Sequence, residues 1–295
     1  YLIYKIIDSK FEDVFETRFL GITDTGRRQM LAHNLLSQEF PNMILLPDAK
    51  IVSFDDGTSI LISKGIDAVG ISKQHQYQQL EHLASIDDNV RANYNNLRQE
   101  LDFNMALNVL FRNTDVELMV TRGKSPRIAR IDDEFFANFN LGGSNDYAAD
   151  RIYNHRFRIA GNDKLDLAAK YKNGAEVFEP NSRVSGGIDG LSDFFDSSGN
   201  LDSEIFNQRF GRHINELDQL VKSPEGNLRL QKYLRDAGYN EAEINKFMQQ
   251  VKSVDLRADL EKWVKNGGDL IVSPDGQLMT KEEILDEFLI PPKGE

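Results

Sequence analysis

The chain has 295 residues, 40% of them hydrophobic and 28% charged, which is the composition of a globular protein able to bury a full core as one two-lobed domain or two modest ones. It contains no cysteine, which excludes disulfides, thiol catalysis and zinc–thiolate sites. A formal net charge of −12 argues against a nucleic-acid binder, whose affinity comes largely from neutralising phosphates, and no run approaches the roughly 18 apolar residues of a transmembrane segment.

The chain opens at Tyr1 within a β-forming run and without a basic, apolar leader, so a piece of a longer protein is expected. Tyr1 to Asp8 alternates and reads as a strand. Asp24 or Thr25 can cap a helix to about Glu39, with Met30, Leu31, Leu35 and Leu36 at helical spacing. The runs Leu45–Phe54 and Ser59–Ser63 flank Asp55-Asp56-Gly57, a hairpin signal. The first 65 residues therefore read β, α, β, β. Helical spacing follows over Gln76–Ile86 and Asn89–Phe111, then strands over Val116–Thr121 and Arg127–Ile131 around Gly123-Lys124-Ser125-Pro126. Asn140 to Gly199 is rich in Gly, Asn, Asp and Ser, with one helix expected near Asp163–Lys172. Helices are expected over Ser203–Val221, Asn227–Ala237, Glu241–Val251 and Leu256–Val264, with Gly238 and Gly267 as terminators. Thr280-Lys-Glu-Glu283 signals a final capped helix.

Phosphoryl transfer needs a cation on the nucleotide phosphates, a partner that orients it, a carboxylate by the nucleophile and another on the metal. Five segments offer such residue types in chain order: Leu2-Ile-Tyr-Lys5-Ile-Ile, Gly26-Arg-Arg-Gln29-Met-Leu-Ala32-His-Asn-Leu35, Ile60-Leu-Ile-Ser63-Lys64-Gly65-Ile-Asp67, Ala106-Leu-Asn-Val-Leu-Phe-Arg-Asn113-Thr114-Asp115 and Arg127-Ile-Ala-Arg-Ile131-Asp132-Asp133. Together they resemble the HipA-like and phosphatidylinositol-kinase-like branch of the protein-kinase fold over roughly residues 1 to 140. The resemblance implies an α+β, bilobal kinase-like fold, with a small β-rich N-lobe over 1–67 and a larger helical C-lobe over 68–295 that carries the catalytic and metal-binding loops. It implies ATP and Mg²⁺ or Mn²⁺ as cofactors. Lys5 would hold phosphates, Gln29 would stand beside it, and the backbone around Ser63 and Lys64 would meet adenine. Asp115 would lie near the acceptor hydroxyl. Asp132 would bind metal, with Asp133 as the runner-up.

Two positions depart from the family pattern. Gln29 stands where a Glu is expected, so it can hydrogen-bond a Lys but supplies no charge. After Asp115 the chain runs directly into Val116-Glu117, with the family's metal-binding Asn absent or replaced by Glu117. Any Gly-rich loop would precede Tyr1. Three readings follow: a conditionally active effector-type phosphotransferase, a pseudokinase that works as an interaction module, and a lipid kinase. A basic run, Arg151, His155, Arg156, Arg158 and Lys164, is either local charge balance or a site for an inositol phosphate or phosphoinositide. Arg27, Arg28, Arg122, Lys124 and Arg127 could add to it. His33, His75, His82, His155 and His213 show no metal-ligand spacing, and no G-x-S-x-G elbow is present. The expected partners are a nucleotide, a phosphorylated small molecule or lipid, and a host protein. Localisation stays open between the cytoplasm and export into a host cell.

Overall fold

The computed structural model describes residues 4–7, 14–19, 24–47, 49–53, 55, 59–71, 76–113, 116–131, 133, 136–137, 191–268, 277–278 and 280. Over these the protein is α+β, with two antiparallel sheets and a larger helical part.

The first sheet runs β1 (Tyr4–Ile7), β2 (Val14–Phe19), β4 (Ser59–Lys64), β3 (Ala49–Ser53) in spatial order. The expected β, α, β, β order thus gains a strand. In β2, Phe15, Thr17 and Phe19 alternate with Glu16 and Arg18, a period-two pattern. This strand is central, pairing Tyr4 with Thr17 on one side and Phe19 with Ile60 on the other. The expected hairpin forms, with Ser53 opposite Ser59.

Helix α1 (Asp24–Glu39) lies between β2 and β3 in sequence. It buries Leu31, Ala32, Leu35 and Leu36, one apolar stripe. That stripe enters the helical part: the Phe40 ring, just past α1, lies 4.9 Å from that of Phe103. Glu39, in the last turn, accepts hydrogen bonds from Arg229 Nε and the Tyr233 hydroxyl, both at 2.8 Å.

The second sheet is β5 (Ala68–Ile71), β6 (Glu117–Thr121), β7 (Ile128–Ile131). β7 is its edge, and an uncovered edge is a template for association. Here Leu45 covers it, donating to Ile128 O at 3.3 Å and accepting from Arg130 N at 2.9 Å. Glu100 Oε2 takes the Ile128 amide at 2.7 Å.

Helices α2 (Gln76–Ile86), α3 (Asp88–Ala92) and α4 (Tyr94–Leu110) link the two sequence halves of this sheet. The single helix expected over Asn89–Phe111 is therefore two, broken at Asn93, whose side chain donates back to Asn89 O at 2.8 Å. Every residue of α4 from Glu100 to Leu110 is buried, which makes it the central helix of the described residues. After a 3₁₀ turn, Ser192–Phe194, come α5 (Ser203–Lys222), α6 (Pro224–Asp236), α7 (Glu241–Ser253) and α8 (Leu256–Lys265). Side chains of Asp202, Ser223, Asn240 and Asp255 cap their first turns, satisfying amides that a helix leaves without intrahelical partners. Gly238 (φ +87°) and Gly267 (φ +71°) end helices in the left-handed region, as expected. Among the described residues no helix is long and apolar enough to cross a membrane. The helix expected near Asp163–Lys172 and the stretch after Thr280 lie outside them.

Candidate functional site

Glu100, Asn104 and Asn108 recur every four residues on α4 and so form one stripe. A polar stripe at this spacing ordinarily faces water, yet all three are buried. Each is satisfied by β7 or by the helix itself. Glu100 takes the Ile128 amide and the Arg127 guanidinium; burial pushes its carboxyl above the usual range, and those two donors oppose the rise. Asn104 donates to Glu100 O at 2.8 Å.

The stripe leads to Arg130, which is 0% exposed. Its Nη1 donates to Asn108 Oδ1 at 2.7 Å and to Asn104 Oδ1 at 3.3 Å. Its Nε donates to Asp133 Oδ1 at 2.7 Å. Nη2 lies 2.5 Å from the same oxygen, an ion-pair contact without hydrogen-bond alignment. Asn113, in the loop leaving α4, donates its Nδ2 to that oxygen at 2.9 Å. Asp133, 5% exposed, thus gathers a cation and an amide from two chain segments.

The backbone around this contact is unusual. Arg112 (φ +52°) and Ala137 (φ +58°) are non-glycine residues in the left-handed region, where each costs on the order of 1–2 kcal/mol. Both are nearly inaccessible and flank the Asn113–Asp133 contact in sequence. Arg112 is held by Val109 O at 2.7 Å and by Asp259 Oδ2 on α8 at 2.6 Å. Phe111 stacks on Phe136, with ring centroids 4.6 Å apart. The loop leaving α4 and the turn after β7 are therefore joined by a hydrogen bond and a ring stack, while the Arg130–Asp133 ion pair braces that turn against β7.

On helix α1, burial lowers the pKa of His33, and the charge of Asp133 opposes the fall. Gln29, half-buried, precedes His33 by one helical turn and shares its face.

Lys5 lies on β1 and Ser63 on β4; the register aligns Lys5, Glu16 and Ser63 in one row, so Lys5 and Ser63 stand two strand spacings, roughly 10 Å, apart. Lys64 is exposed at the end of β4. The strand leading into α1 is β2 and not that of Lys5. Glu117 is exposed and pairs with Ile131, the residue before Asp132. Asp115, Asp132, Arg151, Arg156 and Arg158 lie outside the described residues. Of the cations that could join the basic run, Arg27 pairs with Glu243, Arg122 with Asp67 and Arg127 with Glu100.

Among the described residues no group of three or more His, Asp or Glu side chains could hold a metal. Asp133 fits poorly, because its Oδ1 is already occupied by Arg130 and Asn113. The sequence does not single out Arg130, Asn104 or Asn108; the signal for the two amides is their four-residue spacing from Glu100 along the second half of α4, where Asp102 is the only other polar side chain. No protein-family model matches this sequence, and no curated protein matches it.

Proposed function

We propose that this protein binds ATP with a divalent metal and transfers phosphate, with the reacting groups gathered where the loop leaving α4 meets the turn after β7. One observation carries the reading. Asn113, two residues before Asp115, contacts Asp133, one residue after Asp132, at 2.9 Å. The two segments expected to bring the acceptor-side and metal-side carboxylates thus meet in space. Their buried, stacked and positive-φ surroundings are those of a preorganised site, where local backbone cost accompanies function.

In this reading Asp115 orients or deprotonates the acceptor hydroxyl. Asp132 holds the metal, with Glu117 across the hairpin from Ile131. The metal, when bound, would neutralise charge on the phosphates. Lys5 serves the phosphates from β1, and Arg18 is the cation on β2, the strand that leads into α1. Ser63 is paired on both sides, with Glu16 and Ala49, so in this reading the backbone from Lys64 onward, where the first sheet ends, meets adenine. The bilobal kinase arrangement belongs to this proposal.

The test is transfer of label from γ-labelled ATP, with Mg²⁺ or Mn²⁺, to the protein itself, to protein acceptors and to inositol lipids. Transfer by the wild type that is lost in Asp115→Asn is the expected result; equal transfer by both would refute it. The Arg130–Asp133 pair favours a second reading, a pseudokinase that holds nucleotide without turnover, because it neutralises a carboxylate beside the metal position. ATP binding without transfer to any acceptor would select it.

A further inference from the structure

Asp133 is the one carboxylate of the Asp132-Asp133 pair that the structure describes, and its surroundings bear on which of the two can meet a cation. Its Oδ1 receives Arg130 Nε at 2.7 Å and Asn113 Nδ2 at 2.9 Å, with Arg130 Nη2 at 2.5 Å. The guanidinium cannot drift away cheaply. It is 0% exposed, held on its far side by Asn108 and Asn104, and lies 5.8 Å from the centre of the Phe136 ring. Arginine stays protonated at any ordinary pH. A divalent ion on the same oxygen would meet this fixed positive charge at contact range, in surroundings that screen little.

We infer that Arg130 supplies at Asp133 the positive charge that a divalent ion would otherwise bring, so that Asp133 anchors the two loops and is not a metal ligand. Arg130 and Asp133 are then positioning residues: they fix Asn113, and through it the start of the 113–117 loop, against the end of β7. The inference rests on the proposed nucleotide site only for what the loops serve; the competition between Arg130 and a metal for Asp133 is independent of it.

The experiment is Mn²⁺ binding to the full chain without nucleotide, read from the electron paramagnetic resonance of free Mn²⁺. It compares wild type, Arg130→Lys, Arg130→Gln and the double variant Arg130→Gln/Asp133→Asn. The double variant replaces the ion pair by a neutral hydrogen-bonding pair and protects against a single variant that fails to fold. Expected are unchanged Mn²⁺ binding in Arg130→Lys and in the double variant, to within about twofold, and a gain of tenfold or more in Arg130→Gln. A tenfold loss in the double variant would make Asp133 a ligand and overturn the inference, as would a folded Arg130→Gln with no gain. Stabilisation of the wild type by Mg²⁺ with ATP, measured in parallel, reports on the nucleotide site alone. Its absence would remove that reading and leave the Mn²⁺ comparison standing.

Discussion

Asp102 offers the sharpest test of α4 as the central helix of the described residues. Its carboxylate side chain, 3% exposed, accepts from the Tyr77 hydroxyl at 2.6 Å and from Arg209 Nη2 and Nε at 2.5 and 3.0 Å. Arg209 lies over the Phe194 ring at 4.2 Å and the Tyr77 ring at 5.0 Å, so α2, α4, α5 and the 3₁₀ turn meet at one carboxylate. Burial, followed by the Asp102 charge, pushes the Tyr77 phenol well above its ordinary range. Asp102→Ala would remove the carboxylate that the buried Arg209 guanidinium and the Tyr77 hydroxyl share, a loss of about 3–5 kcal/mol. Tyr77→Phe removes one hydrogen bond to a charged acceptor, about 1.5–3 kcal/mol. The double variant Asp102→Leu/Arg209→Met removes both charges and should recover most of the loss, since well-packed apolar replacements of buried pairs are often neutral. Urea unfolding can be followed by the fluorescence of Trp263, the single tryptophan, whose ring is 6.2 Å from that of Phe210 in the same aromatic layer. An Asp102→Ala variant within about 1 kcal/mol of wild type, or a double variant no better than the single, would refute the reasoning.

A Cβ at Gly226 would stand 2.4 Å from the carbonyl oxygens of Gln219 and Leu220, so Gly226→Ala should cost about 3 kcal/mol through backbone displacement at the α5–α6 turn; Gly211→Ala, within α5 and with nothing within 4 Å of the new Cβ, should gain about 0.5–1 kcal/mol, and chemical denaturation of both checks the contrast. His213 is buried, its Nδ1 has no hydrogen-bond partner, and its ring lies edge-on to Phe103 at 5.3 Å. Burial lowers its pKa, with Asp102 and Glu216 opposing that and Arg212 reinforcing it. A histidine held neutral in the fold takes up its proton more readily when unfolded, so its contribution is present above the ordinary value of about 6.5 and is lost as pH falls below it. Stability should therefore decline over that window, with His33 contributing in the same direction. His213→Gln should flatten the decline, and an unchanged slope would count against the assignment.

Elements governed by local signals were legible in the sequence. The Asp24–Glu39 helix, the hairpin at Asp55-Asp56-Gly57 and the four helices after Asp202 follow from caps, glycines and apolar spacing acting within a few residues. β2 was missed although Phe15, Thr17 and Phe19 alternate with Glu16 and Arg18, because the run is only six residues long and a central strand is specified by the partners it gains on both sides. The α3–α4 break was missed because Asn93 suits a helix interior poorly yet not decisively; its side-chain bond to Asn89 O resolves the matter. At the site, the Asn113–Asp133 meeting was implicit in two motifs read separately. Arg130 was hidden, because an Arg in an edge strand suggests solvent, and only the buried amides of α4 turn it inward.

The central claim, a nucleotide site between the loop leaving α4 and the end of β7, is tested most directly by thermal stabilisation with millimolar ATP and Mg²⁺ or Mn²⁺, on the wild type and Asp132→Ala. Ligand at about a hundredfold over its dissociation constant stabilises by roughly 2.7 kcal/mol, which raises the midpoint of a protein of this size by several degrees. A shift that requires the metal and is lost in Asp132→Ala is the expected result. No shift with either metal, or the same shift in the variant, would contradict it.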